Sequence, residues 1–183
     1  MRRVAQRLGV EAMSLYHHVP DKDALLDGLV ERIVEQMALP PPDMEWRAAM
    51  RVRARSADEV LRRHPWSLVL LVSRADLGPQ RLAHVEATLA CLRRAGFSWA
   101  LADHAWNALD SYVFGFALQK SHFPIAPPDY GKRAQDALAA IPLHRYPNIN
   151  GLANEVIHGR HDGINLLDLG LDLLLEGLEA LRG

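Results

Sequence analysis

Histidine is the residue type in this sequence whose spacing first suggests chemistry. His158 and His161 stand three residues apart, a spacing that two ligands of one zinc ion can have, but no third ligand accompanies them. The adjacent His17 and His18 have no acidic or thiol partner, so contact with a base or a phosphate explains them better. We therefore expect no metal and no cofactor. The sequence also shows no convergent acid–base pair, nucleophile motif or phosphate-binding loop, which makes an enzyme the least favoured class.

Arginine provides a second pattern. Arg47, Arg51 and Arg55 follow one another at four-residue intervals, so a helix places them in one row. Such a row either binds nucleic acid or forms a solvated helix face that is paired with nearby acidic residues. We favour the second interpretation, with Asp58 and Glu59 as the acidic partners.

Charge and composition limit the classes of protein. The 183 residues include 21 Lys and Arg against 22 Asp and Glu, a formal net charge of −1. A chain that binds nucleic acid over its whole surface is usually basic, so any DNA contact here is expected to be local. The lone cysteine, Cys91, fits a small buried side chain in a reducing cytoplasm. No apolar stretch reaches the length of a membrane span, so we expect a cytoplasmic protein without a membrane partner.

The N-terminal residues predict two short helices joined by a tight turn. Ala5 and Leu8 lie on one face of the first helix, and Gly9 follows where a positive φ is required. The second helix covers about residues 11–18, with Leu15 facing back to the first. This arrangement is a helix-turn-helix. Its second helix exposes short polar and aromatic side chains that can enter a major groove, namely Ala12, Met13, Ser14, Tyr16, His17 and His18.

Basic residues stand at both ends of this motif. Pro20 ends the second helix, and Asp21 is expected to cap a further helix that carries Lys22 in its first turn. A helix N-terminus with a lysine forms a phosphate site. Arg2 and Arg3 could bind a second phosphate or a base edge. We expect a connecting helix at about residues 24–34, followed by the break at residues 40–42.

Helical periodicity continues through the remainder of the chain, so the predicted fold class is all-α. We expect a head at residues 1–38, which is a partial DNA-binding domain with its connecting helix, and a body at residues 44–183 for ligand binding and dimerisation. Within the body we predict helices at about residues 44–64, 98–120 and 163–181. Ser98 is the expected N-cap of the second of these. Residues 124–163 are proline-rich and are expected to be loop in whole or in part, with a short helix at 131–140.

Two of these helices have apolar arcs wider than a surface helix needs. The arc of the last helix covers about two-thirds of its circumference, and Gly170 and Gly177 stand in the same sector. A partner subunit explains such an arc, and the alternative is a wholly internal helix. Two broad-faced helices from each of two subunits would form a four-helix bundle. The residues predicted for this homodimer interface are Leu109, Val113, Phe116, Leu167, Leu171, Leu174 and Leu178.

The segment "RRVAQRLGVEAMSLYHHVPDKDALLDGLVERI" closely resembles the DNA-binding region of the tetracycline-repressor (TetR) family. The segments "WRAAMRVRARSADEVLRRHPW", "VEATLACLRRAGFS" and "SYVFGFALQ" are similar to the C-terminal domain of the tetracycline-repressor subgroup. The resemblance implies an all-helical homodimer that binds double-stranded operator DNA and represses transcription until a small-molecule inducer binds. It implies that Arg2, Ser14 and His17 face bases, and that Tyr16, His18 and Lys22 contact phosphates.

Alignment with the family's pocket positions gives Arg53, Thr88, Trp106 and Asp110 as ligand-binding candidates. The alternative is that Trp106 is plain core and Asp110 plain surface. An apolar pocket with few polar groups suits a flat, largely hydrophobic ligand.

The sequence departs from the family pattern in two places. The family's DNA-binding domain begins with a further helix, and this sequence starts inside the second one, as a misplaced start codon or a fragment would. Without that helix, Val4, Leu15 and Leu29 lose a covering layer, and a loosely folded head is expected. A dimeric small-molecule-binding regulator that has lost autonomous DNA binding is therefore the alternative function. The second departure is a leucine, Leu70 or Leu71, where the tetracycline-binding member has a magnesium-binding histidine, so neither magnesium nor tetracycline is carried over.

Overall fold

The structure is a computed structural model that describes residues 1–74, 78–122, 132, 135, 136, 138, 140–161 and 166–182. Every regular element assigned in these ranges is helical, which confirms the predicted all-α class. The chain divides into two compact units, residues 1–120 with 168–183, and residues 121–167. The helices are α1 Arg2–Leu8, α2 Ala12–His18, α3 Lys22–Val34, α4 Trp46–Arg63, α5 Ser67–Ser73, α6 Pro79–Arg94, α7 Trp99–His122, α8 Pro147–Ile157 and α9 Leu167–Arg182.

Local signals set the ends of the first helices. Gly9 has a φ of 67°, its N–H donates to the Gln6 carbonyl, and the Val10 N–H donates to the Ala5 carbonyl at the end of α1. Only glycine adopts this left-handed conformation without steric cost, so the residue fixes the turn into α2. The Asp21 side chain accepts from the Ala24 N–H at 2.8 Å and caps α3. The predicted turn, cap and connecting helix are therefore confirmed.

The core of the first unit lies between α4, α6, α7 and α9. Trp46 packs edge-on against Phe97 with ring centroids 4.9 Å apart. Met50, Leu92 and Leu171 are fully buried around them. Burial of each such side chain stabilises the fold by about 1.5–3 kcal/mol. Ser98 caps α7 through its hydroxyl, which accepts from the Leu101 N–H at 3.2 Å, as predicted.

Most residues predicted at a dimer interface are buried in the core of the single chain. Five of the seven are buried within the chain, namely Leu109, Val113, Phe116, Leu171 and Leu178. Leu167 and Leu174 are half-buried. The outward side of α9 carries Leu169 and Leu173, with exposed fractions of 63% and 65%. The wide apolar arc of α9 thus has an inner side that packs on its own chain and an outer side that stays exposed.

The two glycines of α9 differ in their surroundings. A Cβ on Gly170 would overlap the hydroxyl and ring of Tyr112 on α7, so this glycine admits a neighbouring helix of the same chain. Gly177 has open space around it. The close approach expected of a partner helix is therefore made at Gly170 by α7.

The arginine row of α4 pairs with α9. Arg51 lies 2.7 Å from Asp172, Arg55 lies 2.8 Å from Asp168, and Arg47 lies 3.3 Å from Glu179. These pairs run antiparallel along the two helices. The structure confirms that this face of α4 is partly solvated and that its arginines pair with acidic residues. The predicted partners are wrong for these arginines, because Asp58 pairs with Arg62 at 3.1 Å and the acidic residues of α9 face the row.

The second unit is described through α8 and its flanking residues. Proline at its first turn suits α8, since Pro147 needs no helical donor there. This helix is missing from the sequence-based prediction, which expected loop because of the prolines. Within the predicted helix at 131–140, the described residues 132, 135, 136, 138 and 140 are helical, and the others, like the predicted start of the last helix at 163, lie outside the described residues. No helix in the described ranges is long and apolar enough to span a membrane.

Candidate ligand cavity and DNA-binding surface

A cavity of about 70 Å³ lies inside the first unit. Each of the helices α3 to α7 contributes at least one side chain to its wall. Its lining is mostly apolar, with four polar or charged side chains among the ten residues. The ten lining residues are Val34, Met37, Arg53, Leu71, Arg81, His84, Val85, Trp106, Asp110 and Phe114.

A buried ion pair occupies one wall of the cavity. Arg53 Nη1 lies 2.7 Å from Asp110 Oδ1, and these side chains keep 10% and 21% of their exposure. Trp106 Nε1 donates to Asp110 Oδ2 at 2.8 Å, which the one-turn spacing on α7 allows. Both carboxylate oxygens therefore have a donor. Desolvation makes such a pair costly to break from one side, so it fixes α4 against α7.

One donor of Arg53 has no acceptor. Within the part of the chain that the structure describes, its Nε is buried and has no hydrogen-bond partner. An unsatisfied buried donor costs about 1–3 kcal/mol. The Arg53 guanidinium is thus anchored at one nitrogen and has a buried second nitrogen without a hydrogen-bond partner.

His84 on α6 is the polar residue that sequence reasoning missed. It keeps 8% of its exposure. Burial is the main cause that lowers its pKa, and the nearby Arg53 charge lowers it further, against smaller opposite effects from Asp110, Glu31 and a hydrogen bond with the Val34 backbone. The imidazole is therefore neutral at pH 7. The sequence feature that could have pointed to His84 is its one-turn spacing from Thr88, which was already a ligand-binding candidate.

The four predicted ligand-binding residues do not all reach the cavity. Arg53, Trp106 and Asp110 line it, and Arg53 and Asp110 form the pair described above. Thr88 is fully buried, and its hydroxyl donates to the His84 carbonyl at 2.7 Å. Thr88 does not line the cavity, and its hydrogen bond supports the backbone of α6.

Polar contacts fasten α3 to the body next to the cavity. Glu31 Oε2 accepts from the Gln80 N–H at 2.6 Å, at the start of α6. A Cβ on Gly78 would meet that carboxylate, so the glycine leaves room for this contact. Arg74 pairs with Asp27, and its Nη2 donates to the Asp23 carbonyl at 3.1 Å. The helix that follows the head is therefore held along its length by α6 and by the end of α5.

All seven predicted DNA-contacting residues are exposed. They lie on α1, α2 and the first turn of α3, and α2 buries none of its residues. Tyr16 keeps 44% of its exposure. The set is Arg2, Arg3, Ser14, Tyr16, His17, His18 and Lys22. Five of these side chains are basic or imidazole groups, and Lys22 stands in the first turn of α3, an arrangement suited to a phosphate backbone.

A larger open groove of about 710 Å³ lies at another place on the same unit. It is bounded by the start of α4 and the ends of α6 and α9. Arg47 and Arg182 both pair with Glu179 there, and Arg94 donates to the Pro42 carbonyl at 3.3 Å. Two of its arginines share Glu179, and the groove is more open to solvent than the smaller cavity, so it is the weaker candidate for a ligand.

A helix-turn-helix with an exposed second helix, joined by a long helix to an all-helical unit with an inner cavity, defines a DNA-binding transcriptional regulator. Residues 39–182 match the family model described as "Tetracyclin repressor-like, C-terminal domain". The chain therefore belongs to the tetracycline-repressor (TetR) family.

Named relatives agree with this assignment. The chain is 34% identical over 191 residues to the HTH-type transcriptional repressor DrrR1 of Streptomyces coeruleorubidus, covering 99% of this chain and 70% of that protein. It is 28% identical to the class C tetracycline repressor protein of Escherichia coli, covering 99% and 81% of the two chains. Among solved structures it is similar to the TetR family protein ActR of Streptomyces coelicolor in complex with actinorhodin, with a TM-score of 0.78, 27% identity, and coverage of 100% and 88%.

Proposed function

We propose that this protein is a dimeric transcriptional repressor that leaves its operator DNA when a planar, largely apolar small molecule enters the cavity of the body. One observation carries the proposal: Val34 belongs both to the cavity wall and to α3, the helix that continues from the DNA-binding motif. A ligand in the cavity therefore acts directly on the element that positions the head.

The size of the cavity supports a mechanism of release. A volume of about 70 Å³ holds a few water molecules, whereas drug-sized ligands occupy about 300 Å³ or more. A ligand must therefore widen the cavity, and it binds better to the widened state. Val30 and Val34 of α3 pack against Leu71, with Leu70 and Phe114 beside them, so widening displaces α3. Release follows because the ligand and the operator favour different positions of the two heads.

The head supplies the DNA contacts. We assign base contacts to Arg2, Ser14 and His17, and phosphate contacts to Tyr16, His18 and Lys22, with Arg3 at either a phosphate or a base edge. Their exposure and the short side chains of α2 support this assignment. In a dimer the two α2 helices would enter successive major grooves.

The ligand class is supported by the lining and by the relatives. Trp106 and Phe114 give the cavity two aromatic rings, and most of the remaining wall is aliphatic. Solved structures of the related ActR contain actinorhodin or (S)-DNPA. Leu71, one of the two leucines at the position of the tetracycline repressor's magnesium ligand, lines the cavity, and a leucine cannot coordinate a metal. We therefore propose a ligand that binds without a bridging metal ion.

The dimer interface is proposed on the outward side of α9. Leu169 and Leu173 stand one turn apart and are largely exposed, with Gly177 one turn further. Such a row of exposed apolar residues on a long helix is stabilised when a second copy covers it.

A gel-shift titration tests the proposal. The purified protein is titrated onto the intergenic DNA upstream of its own gene, with an unrelated fragment of equal length as competitor. We expect specific binding that His17→Ala weakens by about tenfold or more, since one base contact contributes about 1–3 kcal/mol. His104→Ala, an exposed histidine of α7, is the matched control and should bind normally. Absence of specific binding contradicts the repressor function.

The alternative is a dimeric small-molecule-binding regulator without autonomous DNA binding. It is favoured by the exposed apolar side chains of the head, where Val4, Leu8 and Leu29 keep 39%, 62% and 37% of their exposure. Such exposure weakens the packing that holds α2 in place. Ligand binding without any DNA binding in the same titration identifies this alternative.

A further inference from the structure

We propose that a polar clamp on α3 fixes the direction of the DNA-reading helices relative to the body, and with it the half-site spacing that a dimer accepts. The α3 clamp consists of Asp27 and Glu31 on α3, the Arg74 side chain and the Gln80 N–H. The inference rests on the proposed function, which supplies the operator. It gives a positioning role in operator choice to residues that lie outside the DNA-reading helix.

The acidic residues of the clamp belong to one row on α3. Asp23, Asp27 and Glu31 follow one another at four-residue intervals, so the helix places them on one side. Arg74 Nη2 lies 3.2 Å from Asp23 Oδ1, and Arg74 Nε pairs with Asp27. Glu31 Oε2 accepts from the Gln80 N–H at 2.6 Å. About two turns of α3 are therefore held by the end of α5 and the start of α6.

Apolar packing alone fixes the position of α3 less narrowly. Val30 and Val34 of α3 pack against Leu71 in the cluster described above. Hydrophobic burial is non-directional and follows the area buried, so a small rotation or slide of the helix costs little of it. Hydrogen bonds to charged groups have defined distances and weaken steeply with angle. The clamp therefore selects one position of α3 from those that the apolar cluster allows.

The Glu31 contact suits positioning better than stabilisation. One carboxylate oxygen accepts from the first turn of α6, while the other, Oε1, is buried without a hydrogen-bond partner among the described residues. The cost of the unsatisfied oxygen offsets what the first contact contributes. Breaking the contact should therefore change the direction of α3 more than the stability of the fold.

The direction of α3 determines that of the helix that reads DNA. Residues 19–21 alone separate α2 from α3, and Pro20 among them has a fixed φ. A rotation of α3 therefore carries α2 with it. In a dimer that reads two half-sites, one base pair more or less between them rotates one half-site by about 35° relative to the other. A clamped head resists that rotation, whereas a released head follows part of it.

A distance measurement without DNA tests the clamp itself. Spin labels are attached through Gln6→Cys in α1 and Glu59→Cys in α4, which are exposed positions, whereas Cys91 is buried. Labelled chains are mixed with a large excess of unlabelled chains, so that a dimer contains one labelled pair. Double electron–electron resonance gives the distribution of distances between head and body. We expect Asp27→Ala with Glu31→Ala to shift or broaden it by about 2 Å or more.

Matched variants separate direction from charge. Glu35→Ala removes an acidic residue from the exposed pair with Arg32 on the same helix and should keep the natural distribution. Gly78→Ala keeps every charge, yet its Cβ would meet the Glu31 carboxylate and displace it. We expect Gly78→Ala to shift the distribution in the same way as the double variant. Thermal unfolding shows which variants are folded, and Gly78→Ala alone decides if the double variant is not.

Gel shifts on operators of altered spacing test the consequence. Footprinting locates the half-sites in the intergenic fragment used above, and one base pair is then inserted or deleted between them. We expect the natural sequence to lose about tenfold or more in affinity for either altered operator. Gly78→Ala and the double variant should lose about threefold or less, while Glu35→Ala should keep the natural preference.

The two measurements keep the proposals apart. An unchanged distance distribution in Gly78→Ala and the double variant overturns the inference, and so does an unchanged spacing preference. A distribution that shifts equally in Glu35→Ala overturns it as well. A shifted distribution in a chain that binds no DNA supports the clamp and contradicts the repressor function. Specific DNA binding with an unchanged distribution does the reverse.

Discussion

Breaking the buried pair from one side should be costly. Asp110→Ala leaves the Arg53 guanidinium without its carboxylate and removes the acceptor of Trp106 Nε1. Removing one partner of a buried pair costs about 3–5 kcal/mol, and an unsatisfied indole donor adds to that cost. Because Asp110 keeps 21% of its side-chain exposure, water reaches part of the site, so we expect a loss near the lower end, about 3 kcal/mol.

The comparison that isolates this effect uses an exposed pair. Asp168→Ala removes the partner of Arg55, whose side chain is 59% exposed, and should cost at most about 1 kcal/mol. Arg53→Met combined with Asp110→Ala should recover about 2 kcal/mol of the single-variant loss, because no buried charge is left alone. Urea denaturation at one fixed protein concentration measures all four proteins, since dimerisation makes stability depend on concentration. A loss below 1 kcal/mol for Asp110→Ala would refute the reasoning.

Three further outcomes follow from the structure. Gly170→Ala should destabilise the protein by about 1–3 kcal/mol because its Cβ overlaps Tyr112, whereas Gly177→Ala, with open space, should be neutral or stabilise by up to about 1 kcal/mol in thermal unfolding. Because burial lowers the pKa of His84, the folded chain holds fewer protons than the unfolded chain below the ordinary value of 6.5, so the free energy of unfolding should fall as the pH drops through that window. His84→Gln should flatten this dependence, and an unchanged slope would contradict the assignment. Leu173→Asp should raise the dimer dissociation constant at least tenfold in analytical ultracentrifugation, and an unchanged constant would exclude the outward side of α9 as the interface.

The predictable parts of the fold were those that depend on neighbours in sequence. Gly9, Asp21 and Ser98 each act on backbone groups within four residues, so a short stretch contains the whole cause of the turn or cap. The missed helix α8 has the opposite character. The glycine at position 151 and the prolines of the surrounding segment argue against a helix, whereas Pro147 stands at the first turn, where proline is compatible with one.

Helical periodicity predicted the wide apolar arc of α9 but not which part of it is buried in the chain and which part is exposed. A helical projection shows that Leu171 and Leu173 are both apolar, yet it carries no information on which one meets α4 and α7. The cavity shows the same limit. Trp106 and Asp110 are visible as a one-turn pair on α7, and the family resemblance added Arg53. His84 was not found, because its importance depends on burial and on charges from three other helices.

Sharing Val34 between the cavity wall and α3 has a consequence for anyone who wishes to retune this protein. A substitution of Val34 therefore changes both which molecules fit the cavity and how strongly the unliganded protein binds its operator. Val85 on α6 lines the same cavity but belongs neither to the DNA-reading motif nor to the cluster that packs on α3. A library that varies Val85 can search for new effector specificities with less effect on operator binding than one that varies Val34.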